Sequence, residues 1–211
     1  VSVAGGSRTI GHPPRALEAR LDLPAGLVRA GAVVCHPHPL YGGDMNSSVV
    51  VAVGKALVED GLAVLRFHFG GVGRSQGSWG EGVEETRDVE VALGALAAAL
   101  PTATDLALVG YSFGAVMALR AANDAAVRRV VAIAPALDLV EPGVLARLGV
   151  PLAVVVGERD PFCDLARLRT ALAARVAPTS IDAIGGADHF LVGCEDTVAA
   201  WVCERLTDLG R

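Results

Sequence analysis

The fifteen residues 106–120, LALVGYSFGAVMALR, restrict the fold more than any other part of the chain. Residues 106–109 are short, apolar and β-prone, as a buried strand is. Residues 113–122 are almost wholly apolar and rich in helix formers, so they fit only a helix buried on most sides. Between them lies GYSFG (residues 110–114), a match to G-x-S-x-G. Its glycines let the backbone turn where side chains would clash. The turn lifts the Ser112 hydroxyl clear of the sheet and points the first N–H groups of the helix at the space before it. A serine needs that arrangement to become a nucleophile.

The pattern occurs twice, because GRSQG (residues 73–77) also fits it. Context separates the two. Gly77, Ser78, Trp79 and Gly80 cannot open a helix, so residues 70–82 read as a Gly-rich loop after a strand. Ser112 is the candidate nucleophile, and Ser75 is not.

The rest of the chain repeats strand then helix. Residues 17–23 alternate apolar and polar, as an antiparallel edge strand with one wet face does. Residues 30–35, 62–69, 106–109, 127–134 and 152–157 are near-continuous apolar runs, and residues 180–184 complete the set. Helices are expected from Asn46 or Ser47 to Asp60, over residues 81–100, 113–122, 164–176 and 195–209, with a short one at 143–148. Strands alternating with helices predict an α/β fold with a mostly parallel sheet. Residues 1–15, rich in Gly and Pro, are expected to be poorly ordered. No interior shift in composition marks a boundary, so residues 1–211 read as a single domain. Between Pro135 and Pro151 there is no room for an inserted helical lid.

Composition narrows the function classes. With 52% apolar and 19% charged residues the chain can bury a large core, and with only 4% aromatics that core is mostly Val, Leu and Ala. A net charge of −5 argues against nucleic acid and against an anionic membrane surface as partners. No apolar run approaches the length of a membrane helix. The first residues lack the charge and apolar block of a signal peptide, and the four cysteines, Cys35, Cys163, Cys194 and Cys203, show no C-x-x-C spacing. Both observations point to reduced thiols and a cytoplasmic location.

A serine hydroxyl attacks well only when a base removes its proton. Of the five histidines, His12, His36, His38, His68 and His189, only His189 follows Ser112. It lies in a loop after the last strand, where parallel sheets present ligand-facing residues. Asp160, just past the strand at 152–157, is the candidate acid that orients it. Asp138 is the rival, and Asp188 is too close in sequence to reach the ring. The order Ser, Asp, His is that of α/β-hydrolases. The loop HPHPLYGG (residues 36–43) admits two readings. His36 and His38, with His68 and Asp44, could ligate a metal. Alternatively the loop donates an N–H to an oxyanion; Pro37 and Pro39 have none, which leaves His38, Leu40 or Tyr41. A catalytically silent binding or scaffold protein on the same fold is a further alternative.

Taken together, HPHPLYGG, Met45-Asn46, LRFHFGGVGRSQG (residues 65–77), GYSFG, GERD (157–160) and GADHF (186–190) resemble the α/β-hydrolases, specifically the small lidless bacterial serine hydrolases related to dienelactone hydrolases. The resemblance spans residues 17–209. It implies a sheet of about seven or eight strands with Ser112, Asp160 and His189 as the triad. It implies oxyanion N–H groups from Phe113 and from His38, with Leu40 second. Dienelactone hydrolases use a cysteine where this chain has Ser112. The expected activity is hydrolysis of ester or related acyl bonds in small soluble molecules, with no cofactor and no metal. Loops near Trp79, Phe162 and Phe190 are expected to wall an open site.

Overall fold

The computed structural model describes residues 5–101, 104–123, 125–141 and 143–210. Its sheet has eight strands among these residues: β1 (Gly6–Ile10), β2 (Leu17–Asp22), β3 (Ala30–Cys35), β4 (Leu62–Phe67), β5 (Leu106–Tyr111), β6 (Val127–Ile133), β7 (Leu152–Gly157) and β8 (Thr179–Ile184). They lie in the order β1-β2-β4-β3-β5-β6-β7-β8. β1 and β2 form an antiparallel border, β2 pairs antiparallel with β4, and every other pairing is parallel. The helices are α1 (Ser48–Glu59), α2 (Val83–Ala99), α3 (Phe113–Ala121), α4 (Val144–Arg147), α5 (Leu165–Leu172) and α6 (Glu195–Leu206). This is the α/β-hydrolase arrangement.

Both faces of the sheet are buried, which is why its central strands lack polar residues. The split follows the period of two along each strand. Leu106 and Leu108 of β5 pack with α2, α3 and α5 on one face. Ala107, Val109 and Tyr111 pack with α1 and α6 on the other. α3 lies between sheet and solvent-side helices with every residue buried except Arg120, as its apolar sequence requires. Between β6 and β7 the described chain forms only a single 3-10 turn and the four-residue α4. Nothing there is large enough to cover the sheet edge.

Two expectations need correction. Residues 6–10 are ordered: they form β1, in register with β2 from Gly6 opposite Leu21 to Ile10 opposite Leu17. Of the glycines and prolines that suggested disorder, Gly6 opens this strand and Gly5, Gly11, Pro13 and Pro14 flank it, and Ser7 to Ile10 alternate as an edge strand does. Several helices are also shorter than the apolar pattern suggested; α5 ends at Leu172 and α6 at Leu206.

Ser75 has a structural place. Its hydroxyl donates to the His68 carbonyl at 2.7 Å and accepts the Glu18 N–H at 2.9 Å. It ties the Gly-rich loop to β2 and is fully used there.

Candidate active site

The site lies at the carboxyl ends of β3, β5, β7 and β8, where the strand order reverses around β3 and β5. β5 runs into α3 through Ser112, whose φ of 56° and ψ of −117° are outside the comfortable region for an L-residue. Such a conformation costs about 1–3 kcal/mol and persists only when its surroundings enforce it. They do so here by close approach. A Cβ on Gly110 would lie 2.3 Å from the Gly114 carbonyl oxygen, and one on Gly114 would lie 2.4 Å from the His36 carbonyl oxygen. The Ser112 N–H donates to the Ile133 carbonyl at 2.8 Å, fixing the turn to β6.

Ser112 Oγ is 2.8 Å from His189 Nε2, and His189 Nδ1 is 2.8 Å from Asp160 Oδ2. The other carboxylate oxygen of Asp160 accepts the Phe162 N–H at 2.8 Å and the Cys163 N–H at 3.1 Å. Asp160 thus acts throughout as an acceptor. Its contact with Nδ1 places the imidazole proton there and leaves the Nε2 lone pair facing the serine. All three side chains are nearly buried, with exposures of 8% for Ser112, 7% for His189 and 6% for Asp160.

The loops carrying acid and base are joined along their length. Glu158 N–H donates to the Ile184 carbonyl and Arg159 N–H to the Ala187 carbonyl. A side chain at Gly157 would strike the Asp188 carbonyl oxygen at 2.4 Å, so glycine is what lets the two loops touch. From below, the Tyr111 hydroxyl donates to the His189 carbonyl at 3.0 Å.

The structure separates the donors of the β3 loop. Leu40 N–H is directed to the ring of His38, at Nδ1, 3.2 Å away. Tyr41 N–H goes to the His38 carbonyl at 3.1 Å. The backbone N–H groups of His38 and of Phe113, the first residue of α3, have no partner among the described residues. The rings of these two residues lie 4.9 Å apart.

The family model of the alpha/beta hydrolase domain matches residues 32–197. The chain belongs to the α/β-hydrolase family. A protein of Rickettsia prowazekii is 36% identical, over 75% of this chain and 71% of that protein. Among solved structures, an α/β serine hydrolase homologue from Coxiella burnetii superposes with a TM-score of 0.86 at 29% identity, covering 98% of this chain and 99% of its own. A serine hydrolase without a lid from Xanthomonas campestris gives 0.88 at 27% identity, covering 98% and 95%.

The remaining candidates in this hydrolase lie elsewhere. Asp138 is exposed and pairs with Arg167 at 2.5 Å. Asp188 accepts the Phe190 N–H of its own loop. The metal grouping does not form. His36 faces the Pro37 carbonyl through Nδ1 at 2.7 Å and accepts the Phe69 N–H through Nε2 at 3.0 Å, so both ring nitrogens are occupied. Burial lowers its pKa to about 3, against the opposing pull of the Pro37 carbonyl, and keeps the ring neutral. His68 turns to Glu18 at 3.2 Å. Among the described residues no three His, Cys, Asp or Glu side chains are grouped to hold a metal ion.

His36 is thus a clasp between the β3 loop and the end of β4, a role nothing in the local sequence signals. Tyr111 is the other residue that sequence reasoning missed; its place beside Ser112 in the motif was the available clue. Cys163, which touches Asp160 through its backbone, has a thiol raised to about 12 by burial and then by the Asp160 charge. It remains an unreactive thiol near neutrality. A cavity of about 550 Å³ between α1 and the β1–β2 border, lined by Arg20, Asp22, Lys55, Glu59 and Arg66, holds none of these groups. No helix among the described residues is long and apolar enough to cross a membrane.

Proposed function

We propose that this α/β hydrolase cleaves esters of small molecules through a Ser112–His189–Asp160 triad and an acyl-enzyme. The observation that carries the reading is the continuous hydrogen-bonded line from Asp160 Oδ2 through the imidazole to Ser112 Oγ, with 2.8 Å at each step. Ser112 Oγ attacks the acyl carbon while its proton passes to His189 Nε2. Asp160 holds the ring in the tautomer that can accept that proton and stabilises the imidazolium that results. The negative oxygen of the tetrahedral intermediate is held by the N–H groups of Phe113 and His38, neither of which has a partner among the described residues. Collapse expels the alcohol, which leaves with the proton from Nε2. A water activated by the same nitrogen then releases the acid and restores Ser112.

Pro37 and Pro39 on either side of His38 stiffen the donor loop, and the His36 clasp fixes its root. The short β6–β7 connection favours small, short-acyl substrates over emulsified lipid. A fluorophosphonate probe is expected to label Ser112, as read by peptide mapping. Ser112→Ala is expected to lose label and to reduce p-nitrophenyl ester turnover by a factor on the order of 10⁴ or more. Label on Ser75, or undiminished turnover in Ser112→Ala, would overturn the reading.

A further inference from the structure

Aromatic residues make up only 4% of the chain, yet Phe162 and Phe190 pack on His189, and Tyr41 and Trp79 join Phe113, the neighbour of Ser112, through the His38 ring. They form two walls. On the oxyanion side the His38 ring lies 4.6 Å from Trp79, 4.8 Å from Tyr41 and 4.9 Å from Phe113. Trp79 and Phe113 also touch, at 5.2 Å, so the rings of this wall largely satisfy one another.

The base side differs. Phe162 and Phe190 stand edge-to-face against the His189 ring, at 4.7 and 5.8 Å, and yet are 51% and 62% exposed. Each is held in a short turn closed by a carboxylate: Asp160 takes the Phe162 N–H at 2.8 Å, and Asp188 takes the Phe190 N–H at 2.9 Å. Two large apolar rings therefore stand beside a nearly buried imidazole, with half or more of their surface uncovered. Exposed apolar surface at a polar site marks a binding wall.

We infer that Phe162 and Phe190 bind the alcohol portion of the ester, and that this portion is an aryl or arylmethyl group. The inference rests on the ester-hydrolase reading. The bond between the acyl carbon and the alcohol oxygen breaks as the bond to Ser112 Oγ forms, and the electron pair leaves on that oxygen. The proton that neutralises it comes from His189 Nε2, so the oxygen lies within hydrogen-bond reach of Nε2. The first group beyond the oxygen then falls beside the two rings that touch the imidazole. Phenyl rings present their edges and faces most favourably to a third aromatic ring, which gains both burial and quadrupole complementarity. A saturated group of the same size gains burial alone.

The test compares kcat/KM for methyl, benzyl and cyclohexylmethyl acetate. Methanol and benzyl alcohol are similarly acidic, so their acetates differ little in intrinsic reactivity. Benzyl acetate is expected to exceed methyl acetate by about tenfold or more and cyclohexylmethyl acetate severalfold. In Phe162→Ala and in Phe190→Ala the benzyl-to-methyl ratio falls severalfold. Phe162→Leu and Phe190→Leu, which keep the bulk, lose the preference for benzyl over cyclohexylmethyl. Ser112-dependent turnover with equal benzyl and methyl values, with a ratio unmoved by these variants, or with cyclohexylmethyl equal to benzyl, overturns this inference and leaves the hydrolase reading standing. Absence of Ser112-dependent turnover of all three esters overturns that reading and this inference with it.

Discussion

Asp160 divides its two oxygens between two tasks, and a single-atom substitution separates them. Oδ1 takes two backbone N–H groups, and Oδ2 faces His189 Nδ1. In Asp160→Asn the amide oxygen keeps the two N–H donors, because the NH₂ cannot accept them. The NH₂ then points at Nδ1 and forces it to become an acceptor. The imidazole proton moves to Nε2, which can no longer take a proton from Ser112. Turnover is expected to fall by about 10⁴-fold with the fold intact. Asp138→Asn, out at the surface with Arg167, is expected to leave kcat/KM within about twofold, since exposed ion pairs contribute little. Steady-state kinetics on the two purified variants ranks them, and the reverse order would move the acid to the end of β6. At this scale the sequence pointed to three side chains that the fold brings into one hydrogen-bonded line. It left His38 and Leu40 as alternative donors, because only the folded loop reveals that the His38 ring takes up the Leu40 N–H.

Between elements, the decisive contacts are made by backbone, with glycine permitting them. Gly114 opens α3 directly under the β3 loop, and an added Cβ would lie 2.4 Å from the His36 carbonyl oxygen and 2.5 Å from that of Cys35. Neither atom belongs to a side chain that could rotate away. Gly114→Ala is therefore expected to push the β3 loop from α3, with a stability loss of about 1–3 kcal/mol or more. It also moves the His38 N–H relative to that of Phe113, so activity is expected to fall further than stability. Denaturant melts and labelling rates on the same sample separate the two, and full labelling in Gly114→Ala would refute the close-approach argument. Element order was legible because each buried strand is a continuous apolar run and each helix follows in turn. β1 was not, since five residues between glycines carry little periodic signal. Neither was the double contact of His36: a His-Pro-His string looks the same whether its rings hold a metal or a backbone N–H.

For the molecule as a whole, His36 links the site to acid stability. Burial, partly opposed by the Pro37 carbonyl and reinforced by the neighbouring His68, holds its pKa at about 3, whereas an unfolded histidine titrates near 6.5. Between these values the unfolded chain binds a proton that the folded chain refuses. The contribution of this group to stability is thus complete above about pH 6.5 and is lost as pH falls toward 3, with a limiting slope of about 1.4 kcal/mol per pH unit. His38, lowered by burial, acts in the same direction. Glu18, lowered chiefly by its bond from the Arg74 backbone, and Asp182, lowered chiefly by Arg205, lose stability only further down, in the carboxylate range. Asp88, raised by burial in spite of Arg15, acts in the opposite sense. The interval from about pH 6.5 to 5 spans the upper part of the window in which His36 acts. His36→Gln keeps an acceptor for the Phe69 N–H and removes the titrating group. Urea unfolding is expected to show a variant that is less stable at pH 7 by about 1–3 kcal/mol, through the lost bond to Pro37. Its stability should also change less than that of the parent between pH 6.5 and 5. Equal slopes in the two proteins would assign the acid sensitivity to other groups and leave His36 as a hydrogen-bonded clasp with no part in it.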